Sequence, residues 1–150
     1  MTDQPILPDV DDRLAAQFWN AARENRLVVQ SCTDCGTLHF PPRPFCSECQ
    51  SSRHEWRDVS GRGQIWSWVL AHGPTLAAFA ELTPYPVVIV ELAESSSVRM
   101  VGNLVAKPGA PINSVPSEQI SIGMPVDVCF HPIDERVTLP LWCPVRSTAD

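Results

Sequence analysis

Two C-x2-C pairs, Cys32 with Cys35 and Cys46 with Cys49, constrain this chain more than any other feature. Each short spacing turns two sulfurs toward one side of the backbone, where both can reach a single ion. Gly36 follows the first pair and relieves the tight turn, since glycine adopts conformations that other residues avoid. Two such pairs supply the four thiolates of a closed tetrahedral zinc site, and iron accepts the same four sulfurs. The spacing therefore predicts a structural metal, with disulfides and redox chemistry as the alternatives.

The start of the chain and its apolar runs indicate where such a site would operate. Residues 1–12 are acidic and show neither the basic start nor the apolar stretch of a secretory signal peptide. No apolar run approaches the roughly 20 residues that a membrane helix needs. We therefore expect a cytoplasmic protein without a membrane partner. In a reducing cytosol, clustered cysteines more often bind metal than form disulfides.

The charge balance argues against nucleic acid as a partner. Among 150 residues, 11 Lys and Arg stand against 17 Asp and Glu, which gives a formal net charge of -6. Proteins that bind phosphate backbones are dense in Lys and Arg. A nucleic-acid-binding protein is therefore the less favoured alternative.

One helix is predicted near the N-terminus. Asp11 or Asp12 can start it by accepting a hydrogen bond from an unpaired backbone N–H, and Asn25 can end it because asparagine tolerates the left-handed conformation. Apolar side chains recur between these residues at helical spacing, namely Leu14, Phe18, Ala21 and Ala22. The stripe predicts packing on the chain's own core, with a helix that docks on a partner as the alternative.

Beyond the helix, the sequence is typical of a mainly β fold. Short strand-like runs flank the first cysteine pair and follow the second, as a rubredoxin-like zinc ribbon requires. Longer runs rich in Val, Ile and Trp come next, separated by turn formers; they span residues 63–72, 85–94, 98–106, 123–131 and 137–144. Because no crossover helix separates them, a small antiparallel barrel such as an OB-fold is the leading architecture. An open β-sandwich is the alternative.

These elements divide the chain into four expected segments. An N-terminal tail and helix occupy 1–25, and a rubredoxin-like four-cysteine zinc ribbon occupies 26–60. A C-terminal five-stranded OB-fold barrel follows over 61–145, with a short tail over 146–150. No internal repeat is apparent.

No catalytic motif accompanies these elements. The sequence lacks G-x-S-x-G, a Walker loop and G-x-G-x-x-G. Cys129 and Cys143 lie in apolar strands, which favours buried free thiols. A nucleophilic role would need a base such as His131 or His72 close by. His39, between the two pairs, is predicted to pack within a strand, with metal ligation as the alternative.

Two arginines are candidates for binding an anion. Arg43 lies in P-P-R-P, and Arg62 lies in the turn S-G-R-G at the start of a strand. For each, a plain exposed arginine is the competing interpretation.

Aromatic side chains give a further signal. Trp66 and Trp68 lie two residues apart in one strand and are therefore expected on the same face. Phe79 and Tyr85 lie in or beside the connection 73–84, whose stretch L-A-A-F-A is unusually apolar. Such a stretch suits an acyl chain or a partner protein if it is exposed, and the core if it folds back.

Taken in order, these features resemble the zinc-ribbon plus OB-fold family, which was long classed as a domain of unknown function. The matching stretches are F-W in the helix, L-V-V-Q-S-C-T-D-C-G, F-P-P-R-P-F-C-S-E-C, W-R-D-V-S-G-R-G, P-V-V-I-V-E-L-A-E, I-G-M-P-V-D-V and L-P-L-W-C-P, from about Phe18 to Pro144. Two departures stand out. The E-L-D-E-G-like strand end of the family is E-L-A-E-S-S-S here, and Trp142 stands where the family often has Phe.

The resemblance implies a role within a complex. Members of this family are typically non-catalytic companions of thiolase-like acyl-CoA enzymes, including thiolases, aldolases and acyltransferases, some of them in steroid side-chain or aromatic degradation. By this similarity, the chain is an accessory subunit that is not an enzyme on its own and is required by a heteromeric complex. The thiolase-fold catalytic subunit supplies the reacting groups.

The same resemblance implies how the parts divide the work. The barrel helps to shape the acyl-CoA channel, so that the CoA ester is a shared ligand, and the ribbon and helix dock on the partner. Arg43 and Arg62 are then candidates for contacting a CoA phosphate, and Phe79 and Tyr85 are candidates for the substrate channel. A free-standing acyl-CoA-binding module is the main alternative.

Overall fold

A three-stranded sheet carries the two cysteine pairs. The computed structural model describes residues 6–145, so the expected tail 146–150 and the first five residues of the expected N-terminal tail lie outside the described residues. Helix α1 (Ala16–Arg23) is followed by β1 (Leu27–Cys32), β2 (Leu38–His39) and β3 (His54–Val59). These strands pair antiparallel in the order β2–β1–β3, which is the strand arrangement expected for the ribbon.

The helix is shorter than the sequence predicts. Asp12 accepts hydrogen bonds from the backbone N–H groups of Leu14 and Ala15, at 2.9 and 3.0 Å. It therefore caps a turn that precedes the helix, and Ala15 occupies the N-cap position without a side-chain bond. The prediction that Asp11 or Asp12 starts the helix is wrong for this reason. Asn25 does end it, with a left-handed φ of 57°.

Five antiparallel strands form the second sheet. They are β4 (Arg62–Ala71), β5 (Tyr85–Leu92), β6 (Ser95–Asn103), β7 (Pro125–Pro132) and β8 (Thr138–Pro144). The sheet order is β6–β5–β4–β7–β8. A parallel bridge between Leu104, just after β6, and Trp142 of β8 brings the two ends of the sheet together. The sheet therefore curls into the OB-like barrel that was predicted, and the open sandwich is wrong.

One apolar core joins the helix, the ribbon sheet and the barrel. Strand β1 is buried along its whole length. Phe18 of α1, Val29 of β1 and Val88 of β5 all belong to the same continuous cluster of buried side chains. Burying a side chain of this size contributes about 1.5–3 kcal/mol. Because β1 also ends in Cys32, this core fixes the base of the ribbon to the barrel.

Trp142 is the largest fully buried side chain in the part of the chain that the structure describes. It lies against Gly102 of β6, where an added Cβ would stand 3.0 Å from the indole ring. A glycine at position 102 therefore leaves the space that the indole occupies. The larger tryptophan, where the resembled family often has phenylalanine, fits at position 142 because residue 102 has no side chain.

A β-bulge separates the two tryptophans of β4. The register of β4 against β5 shifts between Ile65 and Ser67, so Trp66 is the extra residue. Trp66 is exposed and lies under the guanidinium of Arg99, whose Cζ is 3.9 Å from the ring centroid. Trp68 instead packs against the main core. The prediction that both rings share one face is wrong, because the bulge interrupts the alternation of side chains.

We predict that Trp142→Ala lowers the free energy of unfolding by about 3–5 kcal/mol, because it leaves a large cavity in the core. Trp66→Ala is the matched control and should cost about 1 kcal/mol, the size of an exposed cation–π contact. Urea unfolding followed by circular dichroism measures both. Equal losses for the two variants would contradict the assignment of Trp142 to the core.

Candidate metal centre

The two cysteine pairs fold into matching turns. In the first, the N–H of Gly36 donates to the carbonyl of Cys32 at 2.9 Å, and in the second, the N–H of Gln50 donates to the carbonyl of Cys46 at 3.1 Å. Gly36 and Gln50 both adopt left-handed backbone conformations, with φ of 75° and 62°. The expected role of Gly36 is confirmed. Gln50 was not predicted, because no glycine marks the second turn.

The four sulfurs converge on one point. The ligand atoms of Cys32, Cys35, Cys46 and Cys49 all lie within 4.8 Å of one another. The Cys32–Cys49 and Cys35–Cys46 sulfur pairs are each 3.6 Å apart. A zinc ion bonded to four sulfurs at about 2.3 Å requires sulfur–sulfur separations of about 3.8 Å in a tetrahedron. The donor set therefore fits one tetrahedral metal ion, and each close sulfur pair joins one turn to the other.

The surroundings of the sulfur cluster shift the pKa values of Cys35 and Cys49 in opposite directions. The Thr37 hydroxyl, 3.1 Å from Cys35 Sγ, lowers the pKa of Cys35 to about 6. The Ser51 backbone N–H favours the thiolate of Cys49, but desolvation and the three neighbouring sulfurs outweigh it and raise the pKa of Cys49 to about 12. Several thiolates cannot be ionised so close together without a compensating cation. A divalent metal supplies that positive charge.

An ion pair on the surface braces the two turns. Asp34, inside the first pair, accepts hydrogen bonds from the Ser51 hydroxyl and the Arg53 guanidinium. Ser51 first and Arg53 second hold the pKa of Asp34 below its usual range. The carboxylate thus ties the first turn to the segment that follows the second. Sequence reasoning missed this contact, because Asp34 and Arg53 are far apart in the chain.

His39 lies against the sulfur cluster. Its Nε2 is 3.2 Å from Cys46 Sγ, and both residues are buried. Burial, and then the positive charge of Arg43, lower the pKa of the imidazole, while Glu48 raises it. His39 does not belong to the group of clustered ligand atoms. His39 is therefore not a fifth ligand beside the four sulfurs, and it does more than pack within the strand, because its ring contacts a ligand sulfur.

The two candidate arginines line separate cavities. Arg62 borders an open cleft of about 540 Å³, together with Gln64 and Ser96. Arg43 borders a cavity of about 90 Å³ beside His39. The structure therefore does not bring Arg43 and Arg62 to one site.

The two candidate channel residues lie together. Phe79 belongs to a short 3₁₀ helix (Ala77–Leu82) in the connection before β5, and Tyr85 is the first residue of β5. Their ring centroids are 6.0 Å apart. Neither ring borders the cleft beside Arg62.

The two remaining thiols lie in a second apolar cluster of the described chain. Cys129 and Cys143 are free and buried, as predicted. Burial first, and then the neighbouring Cys143, raise the pKa of Cys129 far above its usual value. A thiol that stays protonated is a poor nucleophile.

Within residues 6–145, no helix is long and apolar enough to span a membrane.

Comparison with known families assigns both halves of the described chain. The model described as the ChsH2 rubredoxin-like zinc ribbon domain matches residues 19–55. The model described as the ChsH2 C-terminal OB-fold domain matches residues 56–131.

Similar proteins carry names of multi-component enzymes. A solved structure named Ltp2-ChsH2(DUF35) aldolase is 36% identical with a TM-score of 0.76, covering 91% of this chain and 98% of that chain. A Thermomonospora curvata protein named "probable enoyl-CoA hydratase alpha subunit" is 39% identical over 85% of this chain and 36% of its own length. The Mycobacterium tuberculosis 3-oxo-4,17-pregnadiene-20-carboxyl-CoA hydratase alpha subunit is 32% identical over 79% and 34%. The chain thus spans about a third of the length of these two relatives.

We predict about one metal ion per chain, held by the four sulfurs. Cys46→Ala should lose it, since three thiolates leave the tetrahedron incomplete. Cys143→Ala removes a buried thiol elsewhere and should retain the metal. Elemental analysis of the purified variants gives the stoichiometry and distinguishes zinc from iron. Metal retained at wild-type levels in Cys46→Ala would refute the assignment.

Proposed function

This chain belongs to the ChsH2 family of zinc-ribbon and OB-fold proteins, and we propose that it is a non-catalytic accessory subunit of a heteromeric acyl-CoA enzyme. Its partner is a thiolase-fold catalytic subunit acting as a thiolase, aldolase or acyltransferase. The proposal rests on the likeness to the Ltp2-ChsH2 aldolase, which extends over almost the whole of that chain. The family models that match this chain carry the name of its second component.

The chemistry of the described residues supports a role without catalysis. Between residues 6 and 145, the four cysteines are the only cluster of three or more side chains suited to hold a metal. A closed four-thiolate site leaves no coordination position for substrate, so the ion is structural. We assign zinc to it, as in the family to which the ribbon belongs. Cys129 and Cys143 are buried, which leaves the reacting groups to the partner.

For contact with the acyl-CoA, we favour Arg62 over Arg43. Pockets that hold small ligands are typically about 300–1,000 Å³ in volume. The cleft beside Arg62 falls within this range at about 540 Å³, and the cavity beside Arg43 is too small at about 90 Å³. Arg62 would meet a CoA phosphate, and the Phe79–Tyr85 pair would line the channel for the acyl group.

The names of relatives support a substrate class. The mycobacterial hydratase subunit is named for a steroid-derived CoA ester. A bulky acyl group of this kind, from steroid side-chain degradation, is the substrate we propose.

Six free cysteines are consistent with a reducing compartment, so we place the complex in the cytoplasm. Nucleic acid is not proposed as a partner, because the chain is acidic.

The size of the Arg62 cleft also supports a second candidate function, a free-standing acyl-CoA-binding module. Calorimetry with the isolated chain separates the two. Binding of a CoA ester at micromolar concentration by the isolated chain would favour the module. The subunit proposal predicts weak or absent binding until the partner completes the channel.

Co-expression with a thiolase-fold protein from the same organism tests the main proposal. We expect the two chains to co-purify, and the partner to lose acyl-CoA turnover when this chain is omitted. A partner that is stable and fully active alone would refute the proposal.

In that complex, Arg62→Ala should raise the KM for the acyl-CoA about tenfold or more, the effect of losing a charged hydrogen bond of about 1.5–3 kcal/mol. Arg43→Ala is the matched control and should leave the KM unchanged. Steady-state kinetics at varied acyl-CoA concentration gives both values. An unchanged KM in Arg62→Ala would reject the phosphate contact and leave the subunit proposal intact.

A further inference from the structure

We infer that His39 is a positioning residue of the metal centre, which donates a hydrogen bond from Nε2–H to the Cys46 thiolate and thereby slows loss of the metal. The inference rests on the zinc site proposed above. It goes beyond that site, because it assigns a role to a side chain that is not a ligand.

The contact between His39 and Cys46 has the distance of a hydrogen bond, and strand pairing fixes the position of His39. His39 Nε2 is 3.2 Å from Cys46 Sγ. Strand β2 fixes the position of the ring, since His39 pairs with Gln30 of the buried strand β1. His39 is 6% exposed, so water does not compete freely for its ring nitrogen. The imidazole is therefore held against the sulfur by the sheet.

The chemistry of the sulfur decides the direction of the bond. A cysteine that ligates a metal does so as a thiolate and has no proton to donate. The contact is favourable only if Nε2 carries the hydrogen, which makes His39 the donor and Cys46 the acceptor. This fixes one tautomer of the ring, with the hydrogen on Nε2 and an acceptor lone pair on Nδ1.

Charge explains why Cys46 needs such a donor. Four thiolates around a divalent ion leave a net charge of about −2 on the cluster. Cys32 and Cys46 are the buried ligands, so their charge is less well solvated than that of Cys35 and Cys49. At Cys46, the Glu48 backbone N–H is a second donor, at the longer distance of 3.4 Å. The imidazole therefore supplies the shorter of the two bonds to a buried anionic sulfur.

Loss of the donor removes the shorter of the two hydrogen bonds to the Cys46 sulfur, so metal loss should become faster. Replacing a residue that hydrogen-bonds to a metal ligand typically changes metal affinity by about 10–100-fold. We therefore expect zinc release from full-length His39→Leu to a chromogenic chelator to be about tenfold faster than from the wild type. His39→Gln retains an N–H donor near the position of Nε2 and should restore most of the slow release.

His54→Leu is the matched control. His54 lies in β3 of the same sheet, is exposed, and contacts the backbone oxygen of Ser52 through Nδ1. Its removal should leave the release rate unchanged. An equal acceleration in His39→Leu and His54→Leu would show a general loss of sheet stability and overturn the inference.

A spectroscopic measurement separates the hydrogen bond from packing. In the cobalt(II)-substituted protein, loss of a donor to sulfur raises the energy of the sulfur electrons, so the sulfur-to-cobalt charge-transfer band should move to longer wavelength in His39→Leu. His39→Gln should restore the wild-type position. An unchanged band and release rate in His39→Leu would overturn this inference while leaving the zinc site in place. A wild-type chain that binds no zinc or cobalt would overturn both.

Discussion

The apolar core shared by α1, β1 and the barrel is the constraint on which the rest of the structure depends. Strand β1 is buried along its whole length, and it contributes to the same cluster as the helix and β5. Its last residue, Cys32, is also the first metal ligand. The position of the metal centre relative to the barrel is thus set by hydrophobic packing, which does not depend on the ion.

The metal stabilises a smaller region, the two cysteine turns. The turns around it are short and polar, and they have few apolar side chains to bury. Cross-turn sulfur pairs and the Asp34–Arg53 brace join them where a core cannot. In the proposed complex, this division suits a subunit that docks on a partner and supplies no reacting groups of its own. The Arg62 cleft and the Phe79–Tyr85 pair belong to the barrel, whereas the cavity beside Arg43 is lined mainly by the ribbon.

Local chemistry made much of this predictable from the sequence. The C-x2-C spacings predicted the sulfur cluster, and runs of Val and Ile between turn formers predicted all five barrel strands. The predictions that failed concern features set by strand pairing or by contacts between residues distant in the sequence. The bulge at Trp66 is a property of the β4–β5 register, and the helix starts later because Asp12 caps a separate turn. The Asp34–Arg53 brace and the His39–Cys46 contact join residues that only the folded sheet brings together.

Amide hydrogen exchange before and after removal of the metal shows which parts of the ribbon depend on the ion and which depend on the core. We expect the amides of Gly36 and Gln50, which bond to the carbonyls of Cys32 and Cys46, to lose their protection when a chelator removes the ion. The amides of β1 should stay as protected as those of β5, because both strands lie in one core. Loss of protection throughout β1, with the barrel unchanged, would contradict a core shared by β1 and the barrel. The ribbon would then be a separate unit that folds only with its metal.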